Sequence, residues 1–327
     1  METSNLESIN DLIELANEYK QNKQNKKNKK RSADKQIKCN NDLERLVNCL
    51  EPLKKLNELI GMEEIKKNII DQILFYCQKL NTDEMMHVCI TGPPGVGKTT
   101  LIKILAELYC SMGFLESGEV HFATRDSLIG GYLGQTAIKT KKVLKNALHS
   151  TLVIDEIYSL GSGKDDNDSY SKECIDTINQ FLSEHKKDIL VIVAGYKEHV
   201  QNYFFNMNPG LDRRFPWRYE IVPYKSEQLK EIFKYQVKEH QWMFEESFDF
   251  SKLDTIFSQS EYFKNNGGST EQLRDRCKIF HSKRVFGKSK KLKKKINFSD
   301  ISLAFEQIKK QQQLLHKGND PPYGIYL

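Results

Sequence analysis

Several things are scarce in this chain of 327 residues, and each absence closes off a class of function. No apolar run approaches the ~20 residues that a bilayer-spanning helix needs. The cysteines number seven, an odd count, and none stands in a C-x-x-C pair. No signal peptide opens the chain. Free thiols and a reducing, cytoplasmic compartment are therefore expected, with the nucleus as the alternative. The eight histidines keep no metal-ligand spacing with each other or with cysteine. Hydrophobic residues make up only 39 %, against 29 % charged. That balance predicts polar or surface-rich segments beside a core that a chain of this length can still bury. There is no internal repeat.

Acidic residues are nearly missing from two tracts. Residues 20–38 hold nine Lys or Arg and one Asp, and residues 283–295 hold eight Lys or Arg and no acid. Each tract is net +8 in a chain of net +6, so the remainder is net −10. Stacking aromatics are missing from both tracts too, Phe286 aside. Solvated, flexible segments are expected there, over a nucleic-acid or nuclear-import surface.

What is present is concentrated in one decapeptide, Thr91-Gly92-Pro93-Pro94-Gly95-Val96-Gly97-Lys98-Thr99-Thr100. It fits G-x-x-x-x-G-K-[ST], the loop that cradles a nucleoside triphosphate. Val88-Cys89-Ile90 before it reads as a buried strand, and Leu101, Leu105 and Leu108 after it lie on one helix face. Strand, loop and helix aim backbone N–H groups and a helix N-terminus at a phosphate. Lys98 supplies a compact charge for the outer phosphates, and the Thr99 hydroxyl suits Mg²⁺. The plain alternative is an ordinary glycine-rich turn.

A second motif decides against that alternative. Leu152-Val153-Ile154-Asp155-Glu156 places two carboxylates at the end of an apolar run, Asp155 lying 57 residues after the lysine. A buried parallel strand ends this way at its ligand-facing tip. Asp155 is placed to hold Mg²⁺, and Glu156 to orient and activate the attacking water.

Around these motifs the pattern is α/β. A short amphipathic helix is predicted over 5–18, then the disordered Lys/Asn-rich tract to residue 40, then a second apolar stripe at Leu43, Leu46, Leu50 and Leu53. Strands are expected at 87–91, 119–123, 151–155, 189–194 and 219–222, with helices near 99–111, 134–149 and 171–185. That alternation predicts a parallel sheet covered on both faces. Residues 161–170 read as a mobile loop. After Pro223 strands are expected to stop. Helices at 226–244, 251–259, 270–282 and 298–316 would form a small second domain, followed by a loose tail. The domain divisions predicted are 1–40, 41–224, 225–316 and 317–327.

With these pieces placed, the chain resembles the AAA+ ATPases, and within them the CbxX/CfqX type, whose members include red-type rubisco activases. The likeness covers roughly residues 55–285. It is carried by Leu59-Ile60-Gly61-Met62, by Thr124 to Ala137, by Ile154-Asp155-Glu156-Ile157-Tyr158, by Val193-Ala194-Gly195-Tyr196, and by Asn208-Pro209-Gly210-Leu211-Asp212-Arg213-Arg214-Phe215. The resemblance implies a P-loop fold with a five-stranded core and a helical lid, ATP and Mg²⁺ as cofactors, nucleotide bound between core and lid, and hexameric rings. It places Ile60 and Gly61 against the adenine. Arg214 falls where the family carries an arginine that reaches the neighbouring subunit's γ-phosphate, with Arg213 as the adjacent alternative. Tyr132-Leu133-Gly134 falls where such rings carry a pore loop; a core tyrosine is the alternative.

Two positions depart from the wider family. Ala194-Gly195-Tyr196 lacks the usual water-positioning polar residue, and Asn266 to Leu273 lacks the lid arginine, Arg274 and Arg276 lying further on. The function expected is ATP-driven remodelling of a protein substrate. The alternative is a nucleic-acid-linked ATPase of clamp-loader or helicase-loader type, and a third reading is a nucleotide switch with little turnover.

Overall fold

The computed structural model describes residues 6–29, 41–80, 83–132, 134–160 and 169–317. The chain divides into two units, one of Met1–Pro93 and Gly97–Val222, the other of Pro94–Val96 and Pro223–Leu327. The long segment of the second unit begins at Pro223, and the first unit takes in the N-terminal helices.

Four helices open the first unit: α1 (Ile9–Lys29), α2 (Asn41–Asn48), α3 (Leu50–Glu58) and α4 (Glu63–Cys77). The sheet and its connections follow as β1 (Val88–Thr91), α5 (Lys98–Ser111), β2 (Val120–Ala123), α6 (Arg125–Leu128), α7 (Gln135–Asn146), β3 (Thr151–Ile154), α8 (Ser169–Glu184), β4 (Leu190–Gly195), α9 (Lys197–Tyr203), α10 (Leu211–Arg214) and β5 (Trp217–Glu220).

All five strands are parallel, in the order β2-β3-β4-β1-β5. Every residue of β3 and β4 is buried, which is why these strands read as unbroken apolar runs. On one face Ile154, Val191 and Val193 pack with Ile175, Ile178 and Phe181 of α8. Their neighbours Val153, Leu190 and Ile192 are buried on the other face, where α5 lies against β4.

The N-terminal helices belong to this unit because α1 packs on α2, α3 and α4 and buries Ile9, Leu12 and Ala16. The helix expected to end at residue 18 runs on to Lys29, so the first ten residues of the lysine-rich tract are helical rather than disordered. Lys23 reaches Glu44 of α2 across the helix pair. Residues 30–40 of that tract, residues 161–168 of the expected loop, Leu133 and the tail from residue 318 lie outside the described residues.

The second unit holds α11 (Ser226–Glu239), β6 (Met243–Phe244), α12 (Asp254–Phe257), α13 (Gly267–Val285), β7 (Lys295–Ile296) and α14 (Phe298–Lys317). Phe233, Phe257, Phe263, Leu273, Cys277 and Phe305 form its core. Strands do not stop at Pro223: β6 and β7 form a two-residue parallel ribbon, Phe244 opposite Ile296. The second basic tract is ordered at both ends. Arg284, on α13, bonds the buried Asp300 at 2.8 and 2.9 Å and Glu245 at 3.0 Å.

Candidate active site

The turn from β1 into α5 needs left-handed backbone at Gly95 (φ 72°) and Gly97 (φ 87°), which side-chain-bearing residues adopt only under strain. Gly97 caps α5, and no side chain caps it with a hydrogen bond. A helix start left without a side-chain acceptor presents free N–H donors and the positive end of its dipole. This is a seat for an anion.

Lys98 lies just inside the turn. Its Nζ donates to the carbonyls of Gly92 and Pro93, each at 2.9 Å. Partial burial pulls its pKa down, and the nearby charges of Asp155 and Glu156 pull it back up. The carboxylates at the tip of β3 therefore lie in electrostatic reach of the lysine. Thr99 is exposed at the first turn of α5. A hydroxyl and one carboxylate, completed by phosphate oxygens and water, are the donors Mg²⁺ accepts. No group of three or more metal-ligating side chains occurs among the described residues, so any such ion would depend on the nucleotide for its remaining ligands.

Glu156 is exposed and sits at φ 50°, in the left-handed region. Its N–H donates to Asp155 Oδ1 at 2.9 Å, and its carbonyl accepts from Ser159 N–H at 2.7 Å. The sharp turn throws the carboxylate out beyond the strand end.

A second group of residues was not foreseen as part of the site. Tyr158 stacks on Tyr196 with ring centroids 5.6 Å apart, and His199 meets both rings edge-on. Lys98 Nζ lies 5.5 Å from the Tyr196 ring centroid. Burial, then the neighbouring Glu156, pushes the Tyr158 phenol up to about 12. Gly195 makes room for this wall, because a Cβ there would meet the Tyr158 ring at 2.9 Å. The departure at Ala194-Gly195-Tyr196 thus has a structural counterpart: the tip of β4 carries aromatic surface from Tyr158. The signal for it was the glycine between a buried strand and a tyrosine.

Arg125 is the other residue sequence reasoning missed. Its Nη1 donates to the carbonyls of Ser159 and Leu160 and to Ser171 Oγ, tying α6 and α8 to the segment after Glu156. Within the second unit, residues 94–96 of the loop are held by Asn266 Nδ2 on the Pro94 carbonyl (3.2 Å), Gly267 N–H on the Gly95 carbonyl (2.9 Å) and Tyr224 hydroxyl on the Val96 carbonyl (2.9 Å).

The remaining expected residues lie in other places. Ile60 and Gly61 form the turn into α4, where Lys66 Nζ bonds the Leu59 carbonyl at 2.6 Å. Tyr132 is 74 % exposed, which removes the core-tyrosine alternative. Arg214 is tied into its own unit and Arg213 is exposed.

The profile of the ATPase family associated with various cellular activities (AAA) matches residues 88–221. Among solved structures, a RuvB variant of Thermotoga maritima shares the fold at TM-score 0.54 and 19 % identity, over 77 % of this chain and 71 % of that one. The FIGL-1 AAA domain in complex with ADP does so at TM-score 0.56 and 17 % identity, over 82 % and 90 %. Fold, loop and acidic strand tip define an AAA-type ATPase, an enzyme that binds and hydrolyses ATP.

The relatives narrow the class. A cfxQ-like protein of Acanthamoeba polyphaga mimivirus is 41 % identical over 81 % of this chain and 66 % of its own length. The CfxQ homolog of Pyropia yezoensis is 33 % identical over 77 % and 86 %. The plasmid-encoded CbxX of Cupriavidus necator is 32 % identical over 70 % and 74 %. The chain belongs to the CbxX/CfxQ family of AAA ATPases.

Proposed function

We propose that this chain is a ring ATPase, most naturally a hexamer, that couples ATP hydrolysis to remodelling of a protein substrate. Residues 92–100 hold the triphosphate, Lys98 its outer phosphates, and Thr99 and Asp155 the Mg²⁺. Glu156 takes the proton of the attacking water. Ile60 and Gly61 border the base, and an arginine of the Arg213-Arg214 pair completes the site of a neighbouring copy. The described cysteines are free thiols, which suits a reducing, cytoplasmic setting. No helix among the described residues is long and apolar enough to cross a membrane.

Tyr132 carries the remodelling half of this reading. A large aromatic at 74 % exposure, just before α7, leaves most of its surface to solvent. It is flanked by Gly131 and Gly134, beside which a Cβ would meet nothing within 4 Å. A flat apolar face on an open, glycine-bordered turn can grip a polypeptide without reading its sequence.

The test is Tyr132→Ala beside Tyr132→Phe. Alanine should leave the melting temperature, ATP binding and basal turnover near wild type and abolish stimulation by a protein substrate, while phenylalanine should be mild. A melting temperature that falls together with turnover would show a packing role and remove the pore-loop assignment. For capture of the substrate, Glu156→Gln should hold ATP and the bound protein together.

A further inference from the structure

The structure assigns Cys49 and Cys77 as an oxidisable dithiol, at which a hydroperoxide closes a disulfide that staples the N-terminal helices to the ATPase core. The site is independent of the ring reading above.

Helix periodicity brings the two thiols together. Cys49 follows α2 and opens α3, and its N–H donates to the Arg45 carbonyl one turn back, at 3.2 Å. Side chains at that spacing share a helix face. Arg45 uses this face to reach α4: its Nη1 donates to the carbonyl of Cys77, the last residue of that helix, at 2.6 Å. Cys49 lies on the same side, fully buried, and its S–H donates to Cys77 Sγ. The other described thiols have different surroundings. Cys174 meets the Thr140 hydroxyl at 3.4 Å, Cys89 lies within the sheet, Cys277 in the core of the second unit, and Cys110 is half-buried. A disulfide draws two sulfurs to about 2 Å, and the Cys49–Cys77 pair starts in contact.

The two thiols are not equivalent. The bond from Cys49 lowers the Cys77 pKa most; burial opposes it, Arg45 adds to it, and Asp42, itself 3.7 Å from Arg45, opposes it. The same bond, and then burial, raises Cys49. Cys77 is therefore the thiolate that attacks and Cys49 the thiol that resolves. Position agrees. Cys77 keeps 4 % exposure at the end of α4, and Gln78, Lys79 and Leu80 beyond it are exposed. Fraying of that last turn admits a molecule the size of hydrogen peroxide.

The chemistry closes in two steps. The Cys77 thiolate attacks one peroxide oxygen, the O–O bond breaks, and hydroxide leaves a sulfenic acid behind. Cys49 gives its proton to that hydroxide and attacks the Cys77 sulfur. The S–O bond breaks, and the second hydroxide takes the proton that Cys77 had released. Two thiols and one peroxide become one disulfide and two waters. The bridge locks the α2–α3 junction on α4, so the layer that carries α1 can no longer part from α4. Kept reduced, the same layer is held by packing alone.

The experiment treats the full chain with hydrogen peroxide and reads intact mass, disulfide-linked peptides and melting temperature, before and after dithiothreitol. Wild type should lose two hydrogens, yield one linked pair, Cys49 with Cys77, and melt roughly 5 °C or more higher, all reversed by the reductant. Cys49→Ala should stop at a sulfenic acid on Cys77 that dimedone traps, and Cys77→Ala should leave Cys49 unlabelled. The wild-type peptide map decides the pairing whether or not either variant folds. Oxidation that reaches Cys110 but not this pair, or a linkage of either cysteine to another thiol such as Cys39, overturns the assignment. A Cys49–Cys77 bridge that leaves the melt unchanged overturns the staple, and dimedone on Cys49 in Cys77→Ala overturns the order of attack.

Discussion

Glu156 holds its carboxylate on a backbone at φ 50°, a conformation that costs an ordinary residue about 1 kcal/mol or more. Glycine pays no such cost there. Glu156→Gly should therefore raise the stability of the unit by about 1 kcal/mol while turnover collapses. Glu156→Gln should keep the strain and lose turnover as well, since an amide cannot accept the water's proton. Denaturant titration beside an ATPase assay reads both, and an unchanged or lowered stability in Glu156→Gly would show that the turn is not strained. His87 makes a second single-residue prediction. It is fully buried, accepts from Val191 N–H at 3.2 Å, and burial, followed by the nearby Arg214 charge, lowers its pKa to about 3. The unfolded chain binds a proton near pH 6.5 that the folded chain refuses until about pH 3. Stability is thus full above pH 6.5 and falls as the pH drops toward 3, by about 1.4 kcal/mol per unit for this one group. His87→Gln should flatten the pH dependence of unfolding free energy between pH 4 and 6 by close to one proton, and an unaltered slope would mean His87 is not the titrating group.

Elements differ in how plainly they show in the chain. β1, β3 and β4 lie inside the sheet and had to be apolar along their length, so composition alone revealed them. β5 is an edge strand. Its Trp217-Arg218-Tyr219-Glu220 buries Tyr219 and exposes Arg218 and Glu220, so the apolar Ile221-Val222 beyond it drew the expected strand two residues too late. The ribbon of β6 and β7 was hidden for a different reason. Two residues cannot show a period, and Lys295 sits in a tract whose charge argued for solvation. What orders that tract is Asp300, buried at 1 % exposure at the start of α14. It accepts from Arg284, contacts His281 Nδ1 at 3.2 Å, and takes the Asn297 N–H at 3.2 Å. A charge-neutralising acid 16 residues from its arginine leaves no local pattern. Asp300→Ala should destabilise the second unit by about 3 kcal/mol, because it strands buried donors on α13. Asp300→Asn should cost less, since it keeps one acceptor. Equal melting of Asp300→Ala and wild type would show that the tract is held by its apolar contacts instead.

At the scale of the molecule, the loop and acid motifs were legible because phosphate chemistry restricts residue choice over a short stretch. The aromatic wall of Tyr158 and Tyr196 was not, because it depends on two strand tips meeting in space. Nor could the two adjacent arginines be told apart by sequence, since the difference lies in Asn179 and Ser183 on α8. The parallel pairing of β1 with β5 has one more consequence. The phosphate loop leaves one end of this strand pair and the Arg213-Arg214 pair enters at the other. In the ring proposed above the contact between copies would then be head to tail, an open arc of n copies would hold n − 1 complete sites, and closing it would add the last one with no new residue.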